Sequence, residues 1–148
     1  MKLISQGAQY AISAVIALSK QPKGTTVSAA ALAEPLNCPP AYLSQLLSKL
    51  KPSGILKSQR GLNGGVYLAR DPAEIALIEV IEAIDGMDFF ENCFLGIEGC
   101  GRIEPCPFHD FWSNERKKIQ DWLTKTTFHE CEQRMSQAWF DLRLQYSS

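Results

Sequence analysis

The chain has 148 residues, 45% of them hydrophobic and 21% charged, enough to bury one substantial core and too apolar for a disordered protein. Residues Met1 to Gly7 lack a long apolar run ahead of a small-residue cleavage site, and no later stretch offers an uninterrupted membrane-spanning apolar segment. The expected location is therefore the cytoplasm, with no membrane partner. The net charge of −1 conceals a division, because residues 1–70 carry eight Lys or Arg against the single acid Glu34, a net of +7, while residues 71–148 carry a net of −8. Such asymmetry points to a polyanion-binding part joined to a part that repels polyanions.

Tyr10, Ala11, Ala14, Val15 and Leu18 recur at helical spacing behind Ser5, a capping residue, and predict an amphipathic helix over about 6–20. Gln21-Pro22-Lys23-Gly24 ends it. Ser28 caps a short Ala-rich helix running through Glu34, and Asn37-Cys38-Pro39-Pro40 reads as a turn into a further helix over roughly 40–50. Leu43, Leu46, Leu47 and Leu50 share one face of that helix, which leaves Tyr42, Ser44, Gln45 and Lys49 for a partner. Pro52-Ser53-Gly54 breaks it, and 55–58 and 66–69 read as two short strands around the glycine-rich tip Gln59-Arg60-Gly61-Leu62-Asn63-Gly64-Gly65.

Asp71-Pro72-Ala73-Glu74 has the ingredients of a helix start, with the helix expected to run to about Ile84. Residues 86–107 hold glycines, prolines and three cysteines without a sustained period, the composition of a working loop. Beyond it, Phe111, Trp112, Ile119, Trp122 and Leu123 form an apolar stripe on a long helix. Thr127 to Glu130 matches a capping box and opens a last helix expected to carry Met135, Trp139 and Leu142.

Helix, turn, helix and hairpin in that order make a winged helix-turn-helix. The fold class is accordingly mainly α: a DNA-binding domain over 1–85, a cysteine-bearing loop over 86–107, and a dimerisation helix with a C-terminal helix over 108–148. In the helix over 40–50, Tyr42 and Gln45 have the reach for base edges, Ser44 for bases or phosphate, and Lys49 and Lys51 for the backbone. Arg60, on a hairpin tip in a basic half, is placed to enter a narrow minor groove. The DNA-facing set is completed by Ser28, Pro40, Lys57, Ser58, Gly61, Asn63 and Gly64. A long stripe rich in Trp and Phe is hard to hide in one small domain, so a homodimer is expected, with double-stranded operator DNA as the other partner.

Five cysteines, an odd number, do not form a disulfide framework in a reducing compartment. Cys93 and Cys100 have six residues between them, Cys100 and Cys106 have five, and His109 follows after two more. Thiolates are the preferred iron–sulfur ligands and imidazole replaces one of them in some clusters, whereas zinc accepts the same Cys3His set. On spacing alone an iron–sulfur cluster, zinc and unligated thiols all stay open. Cys38 and Cys131 stand apart and read as partly buried thiols.

Leu3-Ile4-Ser5-Gln6-Gly7, the Tyr42-Leu43-Ser44-Gln45-Leu46-Leu47 segment, the stretch Ser58 to Leu68 and the closing Glu79 to Gly86 resemble the IscR/NsrR (Rrf-type) regulators, over about residues 1–144. The resemblance implies a homodimer that lays the helix beginning near Pro40 in the major groove and Arg60 in the minor groove. It also implies an iron–sulfur cluster on Cys93, Cys100 and Cys106, with His109 matching the histidine that completes a 2Fe-2S site in the IscR-like branch. The gap between Cys93 and Cys100 is one residue longer than the family's usual spacing. Other members take an acid from the first helix of the partner subunit, and Gly7-Ala8-Gln9 offers none; 2Fe-2S is favoured over 4Fe-4S on that ground.

The expected function is a transcription regulator that senses redox state, iron–sulfur status or nitric oxide. The alternative is a cluster-free or zinc-containing regulator controlled by a protein partner. An enzyme is not expected, since there is no Gly-rich phosphate loop, no acid/base pair and only two histidines.

Overall fold

The computed structural model describes residues 3–97 and 105–135. Its elements are α1 (Gln6–Ser19), α2 (Ala29–Ala33) with a 3-10 turn (Glu34–Leu36), α3 (Pro40–Ser48), β1 (Leu56–Gln59) and β2 (Gly65–Leu68). They are followed by a second 3-10 turn (Pro72–Glu74), α4 (Leu77–Asp85), α5 (Asp88–Glu91), α6 (His109–Lys125) and α7 (Phe128–Arg134).

Capping residues set the first two helices where the sequence predicts them. The Ser5 hydroxyl accepts from the Ala8 N–H at 3.0 Å, and the Ser28 hydroxyl from the Ala31 N–H at 3.1 Å. Asn37, in the left-handed region at φ 51°, reverses the chain between α2 and α3, and Pro40 occupies the first turn of α3, where its missing N–H costs nothing.

β1 and β2 pair antiparallel with Leu56 opposite Leu68 and Gln59 opposite Gly65. A further antiparallel bridge comes from a segment with no strand pattern: Val27 and Val66 exchange both backbone hydrogen bonds at 2.9 Å. This approach requires Gly65, because a Cβ there would lie 2.4 Å from the Val27 carbonyl oxygen. The wing is therefore stitched to the loop ahead of α2.

The expected continuous helix from Asp71 to Ile84 is not what forms. Asp71 caps only a 3-10 turn, accepting from the Ala73 N–H at 2.9 Å, and the backbone is extended at Ile75 and Ala76 before α4 begins at Leu77. The extension has a partner far along the chain: Leu77 N–H donates to Thr126 O at 2.9 Å and Phe128 N–H to Ile75 O at 3.0 Å. These long-range bonds satisfy backbone groups that a helix would otherwise claim, so the local signal yields. The Glu79 carboxylate then accepts from the Ala76 N–H at 2.8 Å and closes the true start of α4.

Two further corrections concern the second half. The loop after Gly86 contains the single helical turn α5. α7 ends at Arg134, and Met135, expected inside it, is extended at φ −100°, ψ 120°. Trp139 and Leu142 lie outside the described residues.

One core joins the helices. Val15 from α1, Leu43 and Leu47 from α3, Val80 and Ile81 from α4, Leu123 from α6 and Phe128 from α7 belong to one buried cluster. Each such aliphatic or aromatic side chain contributes about 1.5–3 kcal/mol relative to its exposed state. Among the described residues no helix is long and apolar enough to cross a membrane.

Candidate nucleic-acid interface and metal centre

α3 buries Leu43, Leu46 and Leu47 and turns the opposite face outward, with Tyr42, Ser44, Gln45 and Lys49 all exposed. An apolar side docked on the domain and a polar side left to solvent is the division a major-groove helix requires. Tyr42 is partly held: its ring meets Tyr10 edge-on at 6.2 Å, and its hydroxyl faces Gly7 at the start of α1. Ser28 is exposed but spends its hydroxyl oxygen on capping α2, and Pro40 is exposed at the head of α3.

The wing presents Lys57, Ser58 and Arg60 to solvent. Its tip turns at Gly61, where φ is 118°, and Asn63 stays exposed while its carbonyl accepts from the Thr26 hydroxyl at 2.7 Å. Gly64 packs against the carbonyls of Gln59 and Gly61, which tightens the hairpin under Arg60. Thr26 and Val27 thus belong to the wing's support. No sequence signal names them, because a one-residue rung has no period to read.

Two of the cysteines come together. The Cys93 and Cys106 sulfurs lie 3.9 Å apart, Cys93 is buried, and the Leu95 N–H donates to the Cys93 sulfur at 3.3 Å. Two sulfurs on one tetrahedral metal with bonds of about 2.3 Å stand roughly 3.8 Å apart, so this separation fits a shared metal atom. His109 begins α6, donates its backbone N–H to Cys106 O at 3.0 Å, and lines the same small hollow as both thiols. Cys100 lies outside the described residues. Among the described residues no group of three Cys, His, Asp or Glu side chains is gathered tightly enough to hold an ion by itself.

The hollow has an aromatic wall that includes Trp112, a residue periodicity assigns to the apolar stripe of the long helix. Phe94 meets Phe108 at 5.3 Å and Trp112 at 5.7 Å, and Trp112 also meets Phe89 at 5.7 Å. Trp112 and Arg116 both donate to the Asn92 carbonyl, the former at 2.9 Å. The other two cysteines behave as thiols. Burial pushes both Cys38 and Cys131 up, and the neighbouring Glu130 charge adds to the effect on Cys131.

Comparison with known proteins places the chain in a family of transcriptional regulators. The Rrf2 family, described as iron-dependent transcriptional regulators, matches residues 4–132. The regulator IscR of Serratia proteamaculans is 33% identical over 130 residues, covering 88% of this chain and 78% of its own. Among solved structures, CymR, the global cysteine regulator of B. subtilis, superposes with a TM-score of 0.77 at 26% identity, over 92% of this chain and all of its own. IscR of T. potens superposes with a TM-score of 0.72 at 25% identity, over 95% of this chain and 96% of its own.

Proposed function

The chain belongs to the Rrf2 family of transcription regulators, and from that premise we propose that it is a homodimeric DNA-binding sensor carrying an iron–sulfur cluster, 2Fe-2S, on Cys93, Cys100, Cys106 and His109. The observation that carries the reading is the Cys93–Cys106 sulfur pair at 3.9 Å, with His109 one turn further on at the head of α6. When bound, the cluster supplies a group whose charge and integrity respond to oxidants, nitric oxide or iron supply. The chain supplies the thiolates, a burying aromatic wall and a rigid helix attached directly to the ligand set.

DNA would be held by α3 and the wing. Tyr42, Ser44 and Gln45 face base edges, Lys49 and Lys57 neutralise phosphates, and Arg60 enters the minor groove at the hairpin tip, with Ser28, Ser58 and Asn63 on the flanking backbone. Pro40 pre-sets the first turn of α3, while Gly61 and Gly64 let the tip come close. A second copy supplies the symmetric half-site reader. Phe111 and Trp122 on α6 are 71% and 61% exposed, an apolar area that pairing would cover.

A second reading has its own support, since CymR, described as a cysteine regulator, is matched at a higher TM-score than T. potens IscR. In it the chain carries zinc or no metal and answers to a protein partner. Anaerobic purification with iron, acid-labile sulfide and zinc quantification separates the two. Iron and sulfide with visible absorption is the expected result; colourless protein with zinc or no metal selects the second reading.

A further inference from the structure

The residue before Cys93 is held by two donors from one helix face. Trp112 and Arg116 are one turn apart on α6, and the indole N–H and the guanidinium both donate to the Asn92 carbonyl. Asn92 is also tied backwards, its N–H donating to Asp88 O at 2.8 Å, and Cys93 is tied forwards, its carbonyl accepting from Gly96 N–H at 3.0 Å. The Trp112 ring is wedged between Phe89 and Phe94, on either side of this turn. A carbonyl with two fixed donors cannot rotate freely, and its peptide plane carries the N and Cα of Cys93 with it. The same guanidinium lines the hollow that holds the Cys93 and Cys106 sulfurs, where Glu91 is the other charged wall. Arg116 is half-buried, so its charge is only partly screened there.

We propose that Trp112 and Arg116 are positioning residues that clamp the Asn92 carbonyl, hold Cys93 in ligand geometry beside Cys106, and set the reduction potential of the bound cluster through the Arg116 charge. The proposal rests on the cluster reading above. It gives the two residues different duties. Trp112 contributes geometry alone, whereas Arg116 contributes geometry and a positive charge, which favours the more negative, reduced state. Because both stand on α6, the clamp also ties the ligand loop to the helix that the proposed dimer would pair.

Three full-length variants separate these duties: Trp112→Phe keeps the ring and removes the N–H, Arg116→Gln keeps a donor and removes the charge, and Arg116→Lys keeps the charge without the planar fork. Two probes are used, cobalt(II) added to the reduced metal-free protein and potentiometry of the iron–sulfur-loaded protein. Trp112→Phe is expected to weaken cobalt binding about tenfold, the lower end for loss of an outer-shell partner, with the potential nearly unchanged. Arg116→Gln is expected to lower the reduced-to-oxidised ratio at fixed potential about tenfold, equivalent to about 59 mV for one electron. Arg116→Lys should recover most of that shift.

Variants that match the wild type in both measurements overturn the clamp, as does an Arg116→Lys potential displaced as far as that of Arg116→Gln. A wild-type chain that takes up neither cobalt nor an iron–sulfur cluster overturns the cluster reading itself, and the clamp with it. Loaded wild type with unaffected variants overturns the clamp alone.

Discussion

Asp85, the last residue of α4, accepts the Ser5 backbone N–H at 2.8 Å and also the Ser5 hydroxyl, so the cap of α1 is fastened to the helix that leads into the cysteine loop. Two residues beyond Ser5, Gly7 lies against Leu46 and Tyr42 of α3. A contiguous set of contacts therefore runs from the end of α4 through the start of α1 to the helix that faces DNA.

Ser5→Ala removes both the cap to Ala8 and the bond to Asp85, and is expected to cost about 1 kcal/mol in chemical denaturation. Asp85→Ala removes that hydroxyl bond from the other side, and with it the bond from the Ser5 backbone N–H that Ser5→Ala leaves in place. The two losses should be less than additive, with a coupling of at least about 0.5 kcal/mol in a double-mutant cycle. Strict additivity would mean that the contact does not join the two helices energetically.

Gly7→Ala tests the next link. A Cβ there would stand 3.0 Å from Leu46 Cδ2 and 3.1 Å from the Tyr42 hydroxyl, both ends of flexible side chains that can give way. Gly to Ala inside a helix gains up to about 1 kcal/mol in propensity, which offsets the crowding. Thermal stability should therefore change little, while operator affinity falls roughly tenfold as Tyr42 is displaced, a loss on the scale of one good base contact. Equal affinity would remove Tyr42 from the DNA interface.

Arg60 and Lys49 should fail differently. Arg60→Ala is expected to cost about 1–3 kcal/mol of operator binding and to relax preference for the bases under the wing. Lys49→Ala should weaken all duplexes alike and flatten the salt dependence of binding by about one unit of slope. Titrations of operator and scrambled duplexes at several salt concentrations check both.

Much of this architecture is legible in the chain because its signals are local. Ser5 and Ser28 cap the helices they precede, Leu43, Leu46 and Leu47 mark the inner face of α3, and the glycine-rich run from Gly61 to Gly65 marks the wing. The misreadings share the opposite property. Ile75 and Ala76 are extended because backbone from Thr126 to Phe128 reaches them, and Val27 joins the wing through Val66. By its spacing Trp112 is one more residue of an apolar stripe, and no pattern in the sequence singles out Arg116. Their common target, Asn92, lies twenty positions from Trp112, and no periodicity connects them.

The two isolated thiols give a pH signature. Burial raises Cys38 and Cys131 above the ordinary thiol value, so both stay protonated and slow to alkylate in the native protein at neutral pH. A raised value in the fold means that the thiol form contributes stability in full below the unfolded-state pKa. That contribution is lost as pH rises through the folded-state value. Wild type should accordingly lose stability relative to Cys38→Ala as pH is carried upward through that window, measured by urea denaturation across the alkaline range. A constant difference between the two proteins would contradict the burial effect.

In a cluster-sensing regulator, DNA affinity answers to the group held on the cysteine loop. The direct measurement is anaerobic fluorescence anisotropy on a duplex selected by the protein from a random library, comparing iron–sulfur-loaded wild type, the same sample stripped by chelation, and Cys93→Ala. The loaded and stripped forms are expected to differ in affinity by at least about fivefold, the lower end of ordinary coupling, with Cys93→Ala matching the stripped form. Identical binding curves for all three would contradict sensing through the cluster and leave a DNA-binding regulator whose cysteine loop is not its sensor.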